Sequence, residues 1–218
     1  MNFTSENNTR KTVIISYPEA LSREEEAINS LFHSGLNYFH LRKPNMNQNA
    51  LEQLICKIPK TFHPHIILHN HYALVKKYGL KGIHINQYTK DKGVEKEFKN
   101  HHISISTHSF IEIKNLQNEY NYAFLSPIFD SLSKAEYKTG FTNTELEQNL
   151  KKAPGSTEVI ALGGITPETV EKVKHLPFQG FAALGYIWQS FAEDQDISTL
   201  KQSIQQIKQA IHQKTSTR

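Results

Sequence analysis

The sequence predicts a single-domain α/β protein folded as a closed (β/α)8 TIM barrel. Short apolar runs rich in β-branched and aromatic residues alternate with longer amphipathic stretches, the pattern of buried parallel strands separated by helices. Eight such runs occur in 218 residues, and their spacing of roughly 27 residues has room for a strand, a loop and a helix. An open doubly wound sheet is the alternative, because periodicity does not reveal whether a sheet closes.

The barrel is expected to occupy residues 12–213, between polar tails at 1–11 and 214–218. Each predicted strand is short, and several are apolar almost throughout, which indicates burial on both faces. The predicted strands are Thr12–Tyr17, Tyr38–Arg42, His65–His69, Gly82–Asn86, His102–Thr107, Tyr122–Pro127, Glu158–Gly164 and Gly180–Tyr186.

The helices between these strands are predicted from apolar residues at helical spacing and from signals at helix ends. Ser22 is the predicted N-cap of the first helix, before an acidic first turn, and Pro59 follows the second. Gly79 is the predicted C-cap of the third, and Pro167 lies in the first turn of a later helix. The last helix is predicted from Leu200, Ile204, Ile207 and Ile211.

Composition narrows the class of protein. The single cysteine, Cys56, excludes an intramolecular disulfide and fits a reducing cytosol, so a cytoplasmic location is expected. The net charge of +4 comes without a block of Lys or Arg, which favours anionic small molecules over nucleic acid as partners. No apolar run reaches the roughly 18 residues of a membrane helix, and the polar amino terminus lacks the core of a signal peptide. The oligomeric state is not indicated.

Polar side chains collect where the predicted strands end, which in a barrel of this class is the face that carries the chemistry. Five of the 12 histidines belong to this set. Each can simply cap a strand, or the group can converge on one site, and both interpretations stay open. Imidazole titrates near neutral pH, so His40, His69 or His71 could transfer protons. The set is His40, Arg42, His69, Asn70, His71, His84, Gln87, Ser106 and His108.

Two glycine segments indicate phosphate binding, because small residues let an anion approach backbone N–H groups. Gly163-Gly164 leads from the seventh strand into the helix that begins near Pro167. Gly185 follows Leu184 at the end of the eighth strand, and barrels often bind phosphate between these two loops. After the sixth strand, Ser131, Ser133 and Lys134 could add two hydroxyls and one charge.

Taken in order and spacing, these segments resemble the thiamine-phosphate synthase/TenI superfamily of (β/α)8 barrels, from Thr12 to Ile211. The resemblance implies a transferase of thiamine biosynthesis that joins a hydroxymethylpyrimidine diphosphate to a thiazole phosphate, with Mg²⁺ on the pyrophosphate leaving group. The segments that carry it are Phe39–Arg42, Gly82–Gln87, Ser106–Ser109, Ser126–Lys134 and Ala161–Pro167.

The resemblance also implies residue roles. Arg42 and Ser106 match residues that contact the pyrophosphate, and Ser131, Ser133 and Lys134 match a Thr-x-Thr-Lys loop. Gly164, Leu184 and Gly185 match the backbone nest for the thiazole phosphate. The expected catalytic residues are His40, His69, Arg42 and Lys134. The expected substrate-binding residues are Arg42, Lys43, Asn70, Ser106, His108, Ser131, Ser133, Lys134, Gly164, Leu184 and Gly185.

Other positions depart from the family pattern. Synthases have glutamine at the position of His40, an Asn-Asp pair at His69-Asn70, and a metal-binding aspartate at Thr89, although Asp91 is near. Mg²⁺ prefers anionic oxygen ligands, so Mg²⁺ is expected only if the chain is a true synthase. Otherwise a metal-free acid/base site is favoured, and no metal ligand is assigned.

Three alternatives to a synthase stay open. A TenI-type thiazole tautomerase shifts protons without metal, although its catalytic histidine aligns with Pro127. A non-catalytic thiazole- or thiamine-phosphate-binding protein would keep the phosphate nest without the carboxylates. A histidine-liganded zinc or iron enzyme is the third. We expect His40, His69 and His108 to point into one cavity within roughly 10 Å, a span that fits a small-molecule pocket.

Overall fold

A computed structural model of the protein describes residues 10–86, 89, 93–116, 120–129, 140–151 and 157–213. The strands are β1 (Lys11–Ile15), β2 (Tyr38–Leu41), β3 (Ile66–Leu68), β4 (Gly82–Ile85), β5 (His102–Thr107), β6 (Tyr122–Leu125), β7 (Glu158–Leu162) and β8 (Gly180–Ala183). All neighbouring pairs are parallel, and β8 pairs with β1 as well as with β7. The predicted closed (β/α)8 barrel is therefore confirmed.

The observed strands fall inside the predicted segments, apart from Lys11, which begins β1 one residue earlier than predicted. Most strands also end one to three residues earlier than predicted. The difference is largest at β8, because a helix begins at Gly185 and takes the residues that follow Leu184. The strands end earlier because backbone pairing between neighbouring strands stops where the chain leaves the barrel.

The described helices surround the strands. They are α1 (Glu24–His33), α2 (Gln48–Cys56), α3 (Ala73–Tyr78), α4 (Val94–Glu97), α5 (Phe110–Lys114), α6 (Asn143–Lys151), α7 (Pro167–Val173), α8 (Gly185–Asp194) and α9 (Ile197–His212). A 3₁₀ helix at Lys60–His65 leads into β3. None of these helices has the length and apolar character that crossing a bilayer requires.

Most of the predicted helix ends are confirmed. Gly79 ends α3 at a φ of 62°, and Pro167 begins α7 after Thr166, whose hydroxyl accepts from the N–H of Thr169. The N-cap assignment of Ser22 is wrong. The cap of α1 is Arg23, and its side chain makes no capping bond. The first helical residue, Glu24, is turned inward and buried, which places the helix start one residue further along.

The interior of the barrel is divided into two chemically different halves. Strands β1, β7 and β8 contribute apolar side chains such as Val13, Ile160 and Ala182. Strands β2, β4, β5 and β6 contribute buried polar side chains beside Phe124, and these are His40, His84, Ser104 and Tyr122. Buried polar groups need hydrogen-bond partners, so the polar half must satisfy itself internally or through a ligand.

Candidate active site

Three imidazoles meet inside the polar half of the barrel, and we call His40, His69 and His84 the histidine cluster. His40 is on β2, His84 is on β4, and His69 follows β3 directly. The Nδ1 atom of His40 lies 2.9 Å from Nε2 of His69, and the rings of His69 and His84 stack with centroids 4.3 Å apart. One ring nitrogen from each lies within 4.8 Å of the others.

Hydroxyl groups hold the cluster from behind. The Nε2 atom of His40 forms a short hydrogen bond with the Tyr122 hydroxyl. The Nδ1 atom of His84 lies 2.9 Å from the Ser104 hydroxyl, and its Nε2 lies 2.8 Å from the Ser106 hydroxyl. These contacts fix the orientation of the rings, because a hydrogen bond at one ring nitrogen leaves the other with a defined role.

The cluster is uncharged at neutral pH. Burial lowers the pKa of His40 and His69 well below the usual value for histidine, and each neighbouring imidazole lowers it further. Burial and the nearby Arg42 guanidinium lower the pKa of His84 to about 3. Each neutral ring therefore keeps one nitrogen lone pair that can accept a proton, a hydrogen bond or a metal ion.

Arg42 and Lys43 are adjacent in sequence but point in opposite directions. Arg42 is exposed, and no ion-pair partner for its guanidinium occurs in the described ranges. Its backbone is fixed by Ser16, whose hydroxyl accepts from the Arg42 N–H at 2.8 Å and donates to the Arg42 carbonyl at 2.9 Å. Arg42 therefore lies at the end of β2 with an exposed guanidinium, and its role in binding the pyrophosphate stays a prediction.

The substrate-binding role assigned to Lys43 is wrong in this structure. The Lys43 ammonium is fully buried, forms an ion pair with the buried Glu24, and donates to the carbonyl oxygens of Tyr17 at 2.8 Å and Glu19 at 2.6 Å. Because all three of its donors are used inside the protein, the ammonium has none left for a phosphate. Lys43 connects β2 to the loop after β1.

The remaining polar residues after β3 and β5 lie outside the histidine cluster. Asn70 donates to the Lys43 carbonyl at 2.9 Å, while its own buried Oδ1 has no partner in the described part of the chain. His71 turns away and contacts the Met46 carbonyl. His108 is exposed and its Nδ1 contacts the Ser126 carbonyl, so the expectation that it joins His40 and His69 is wrong. The third member is His84.

The described residues that follow β3 and β4 supply no carboxylate for Mg²⁺. Between 66 and 86, and at Thr89, the described chain contains no carboxylate, and Thr89 bonds to Asn86. Asp91 lies outside the described residues. Mg²⁺ needs near-octahedral oxygen ligands, whereas the described residues of this face offer imidazole nitrogens and the amide oxygens of Asn70 and Asn86. The donor set therefore suits a nitrogen-seeking ion better than magnesium.

The two predicted phosphate-binding segments, Gly163-Gly164 and Gly185, differ in the reason why glycine is present. A Cβ on Gly163 would lie 2.8 Å from the Pro127 Cα, so Gly163 is needed for close packing against the loop after β6. Gly164 has a φ of 62°, which favours glycine. A Cβ on Gly185 would meet no atom within 4 Å, so the space beside the first turn of α8 is open. Gly164 and Gly185 follow the paired strands β7 and β8.

The loop predictions for Ser131, Ser133 and Lys134 lie outside the described residues and stay predictions. Sequence reasoning missed Tyr122 and Ser104, which hold the cluster in place. The sequence of β5, His102–Thr107, indicates Ser104, because polar residues alternate with isoleucine along the strand and therefore share one face. The carboxyl ends of the strands alone indicate neither Ser104 nor Tyr122.

The fold and the site define a single (β/α)8 barrel with a polar, histidine-rich mouth. The sequence profile of the thiamine monophosphate synthase family matches residues 12–187. The chain therefore belongs to the thiamine-phosphate synthase/TenI superfamily.

Individual relatives agree with this assignment. The chain is 22% identical over 176 residues to the thiamine-phosphate synthase of Staphylococcus carnosus (strain TM300), a match that covers 76% of this chain and 82% of that protein. The crystal structure of thiamine phosphate pyrophosphorylase from Bacteroides thetaiotaomicron superposes with a TM-score of 0.79 and 32% identity, covering 92% of this chain and 96% of that one. The Pyrococcus furiosus thiamine phosphate pyrophosphorylase, at 14% identity and a TM-score of 0.72, covers 92% and 98% and shares the fold.

Proposed function

We propose that this protein is a transferase that joins a hydroxymethylpyrimidine diphosphate to a thiazole phosphate. Membership of the family supports the reaction class, and the cysteine usage supports a cytoplasmic location. The observation that carries the proposal is Arg42, an exposed guanidinium beside the histidine cluster with no carboxylate paired to it in the described ranges. A guanidinium at a barrel mouth can bind a diphosphate through two parallel hydrogen bonds.

The proposed step exchanges one bond for another. The bond between the pyrimidine methylene carbon and the diphosphate oxygen breaks, and pyrophosphate leaves with the electron pair. The thiazole ring nitrogen then bonds to the methylene carbon, giving thiamine phosphate. Charge develops mainly on the leaving pyrophosphate, so the effective residues are those that stabilise an anion.

Two groups of this chain are suited to that anion. Arg42 supplies a permanent positive charge at the end of β2. Ser106 lies 2.8 Å from Nε2 of His84. When that nitrogen carries the proton, His84 donates to the Ser106 oxygen and leaves the Ser106 hydroxyl proton free for an oxygen of the leaving group. Gly164 and Gly185, after β7 and β8, are the candidates for holding the thiazole phosphate.

The test is conversion of the two precursors into thiamine phosphate, measured by oxidation to a fluorescent product, with Mg²⁺, with Zn²⁺ and with EDTA. Arg42→Gln should lower kcat/KM by about 100-fold or more, the usual effect of removing one anion-stabilising donor. Arg23→Gln is the matched control, because Arg23 is an exposed arginine whose guanidinium is already paired with Glu26. Equal activities of the two variants would contradict the role of Arg42.

A thiazole tautomerase is the second candidate, favoured by the three neutral imidazoles beside the mouth. His69 is the member nearest solvent, at 8% exposed, and could move a proton on a bound thiazole. Solvent deuterium exchange into the thiazole phosphate, without pyrimidine substrate, would support this activity. Calorimetric binding of thiazole phosphate with neither turnover nor exchange would indicate a non-catalytic binder.

A further inference from the structure

We propose that the histidine cluster is a zinc site, in which His40, His69 and His84 bind one Zn²⁺ ion and leave a fourth coordination position to solvent or substrate. The proposal concerns metal binding by the protein alone and is tested without substrate. When zinc is bound, it takes Nε2 of His84, so that nitrogen no longer bonds to the Ser106 hydroxyl as it does in the metal-free protein. Three histidines with one open position form a ligand set that zinc accepts.

The spacing of the nitrogens supports this assignment. Tetrahedral zinc with nitrogen ligands at about 2.0–2.1 Å places those ligands about 3.3 Å apart. His40 Nδ1 and His69 Nε2 are 2.9 Å apart and must separate slightly, while all three ligand atoms already lie within 4.8 Å of one another. Zinc binding therefore replaces the contact between His40 and His69 and the contact between His84 Nε2 and Ser106, and the rings rotate so that the three lone pairs meet at one ion.

The groups behind the rings are those that metal-bound histidines use. A ligating histidine usually gives its second nitrogen to an oxygen, which fixes the tautomer and the ring orientation. Here the Tyr122 hydroxyl meets Nε2 of His40, and the Ser104 hydroxyl lies 2.9 Å from Nδ1 of His84. When zinc takes Nδ1 of His40, the Nε2 proton points to Tyr122 and the bond is kept.

Protonation and charge are also compatible with zinc. Metal ligands must be deprotonated, and all three imidazoles are buried away from water. In the described part of the chain no carboxylate joins the three imidazoles. The charge of the ion must therefore be balanced by its fourth ligand, which is a hydroxide or an oxygen of an anionic substrate.

The experiment is a titration of the full-length protein, freed of metal by chelation, with Co²⁺ as a visible probe and Zn²⁺ as competitor. We expect one Co²⁺ per chain, the visible absorption of tetrahedral cobalt, and its loss when Zn²⁺ displaces it. Zn²⁺ should also raise the Tm of the metal-free protein, since a ligand that binds only the folded state stabilises it, whereas equimolar Mg²⁺ should not.

Variants locate the ion. His69→Asn and His84→Gln should each weaken Co²⁺ binding by at least about 100-fold, and Tyr122→Phe by about tenfold, because it removes only an outer partner. His33→Gln is the control, since His33 is exposed on α1, bonds to the Asn29 carbonyl, meets the Phe62 ring edge-to-face and has no contact with the histidine cluster among described residues. Circular dichroism of each variant verifies folding, and if the cluster variants do not fold, the Zn²⁺ effect on the wild-type Tm decides.

Three results would overturn the proposal: no tetrahedral cobalt spectrum, no change in wild-type Tm with Zn²⁺, or equal cobalt binding by wild type and folded His69→Asn. Loss of binding in His33→Gln would place the metal on the surface and would also overturn it. Failure of the transferase assay leaves all of these readouts unchanged, so the two proposals fail separately.

Discussion

Replacing Lys43 with methionine should destabilise the barrel while leaving binding at its mouth intact. Methionine keeps an unbranched side chain of similar length but removes the charge and the three hydrogen-bond donors. The substitution leaves the Glu24 carboxylate buried at 3% exposure without its cation, and it leaves the carbonyls of Tyr17 and Glu19 without a donor. An uncompensated buried charge is the main cost.

The magnitude follows from this burial. Removing one partner of a buried ion pair typically costs about 3–5 kcal/mol. Burial raises the pKa of Glu24 and lowers that of Lys43, so the orphaned Glu24 can partly escape the cost by taking up a proton. We therefore expect a loss near 3 kcal/mol at pH 7, a large fraction of the roughly 5–15 kcal/mol of a typical domain. Lys43→Met/Glu24→Leu should recover about half of it, because no charge stays buried.

The assay is urea unfolding followed by the fluorescence of Trp188, the single tryptophan, which is fully buried. Lys57→Met is the matched control, because Lys57 pairs with Glu25 at 3.5 Å in an exposed position, and its loss should not measurably change the free energy of unfolding. Thiazole phosphate affinity should be unchanged in Lys43→Met. A loss below about 1 kcal/mol together with a tenfold weaker affinity would refute the reasoning and return Lys43 to the substrate site.

Three further predictions address pH, the phosphate nest and a helix cap. Burial lowers the pKa of His40, His69, His84 and His102, so near pH 6.5 they take up protons only when the chain unfolds. Their stabilising effect is therefore complete above pH 6.5 and falls as the pH drops below it. Between pH 6.5 and 5.5, the metal-free protein should lose about 1 kcal/mol per histidine in urea unfolding, and a flat profile would contradict this. Gly185→Ala should leave Tm unchanged, because a Cβ at this position meets no protein atom within 4 Å. The same substitution should weaken thiazole phosphate binding about tenfold in calorimetry, and an unchanged affinity would show that Gly185 does not hold the phosphate. Thr166→Ala should cost about 1 kcal/mol in urea unfolding through loss of the α7 cap, and no change would show the cap to be dispensable.

The barrel could be predicted from sequence because every strand is largely buried and rich in apolar residues, and because several helices carry their own end signals. Gly79 and Thr166-Pro167 act through local backbone chemistry, which the sequence displays directly. The prediction of Ser22 as the N-cap is wrong because the start of α1 depends on Lys43, a residue that is distant in sequence. Glu24 is drawn to Lys43, which is 19 positions away in the chain and adjacent only after folding.

The sequence predicts the positions of site residues only where these residues lie at the carboxyl ends of strands. His40 and His69 converge as expected, since neighbouring parallel strands end together. The opposite directions of Arg42 and Lys43 depend on the Glu24 side chain, which no motif reveals. Tyr122 enters the site from the middle of the barrel, although it begins its strand, because the strands are strongly tilted in such a barrel.

Closure of the barrel joins the two ends of the chain, and this affects how the protein is made. Lys11–Ile14 pair with Gly180–Ala183, and the Trp188 indole donates to the Ile15 carbonyl at 2.7 Å across 173 positions. During synthesis at about 5–20 residues per second, roughly 5–20 s pass between the emergence of His84 and that of Trp188. All the residues of the histidine cluster, and Tyr122 and the serines that hold it, therefore emerge before the strand that closes the barrel. The seam between β8 and β1 is the pairing of greatest sequence separation, so its loop-closure cost is the largest in the sheet.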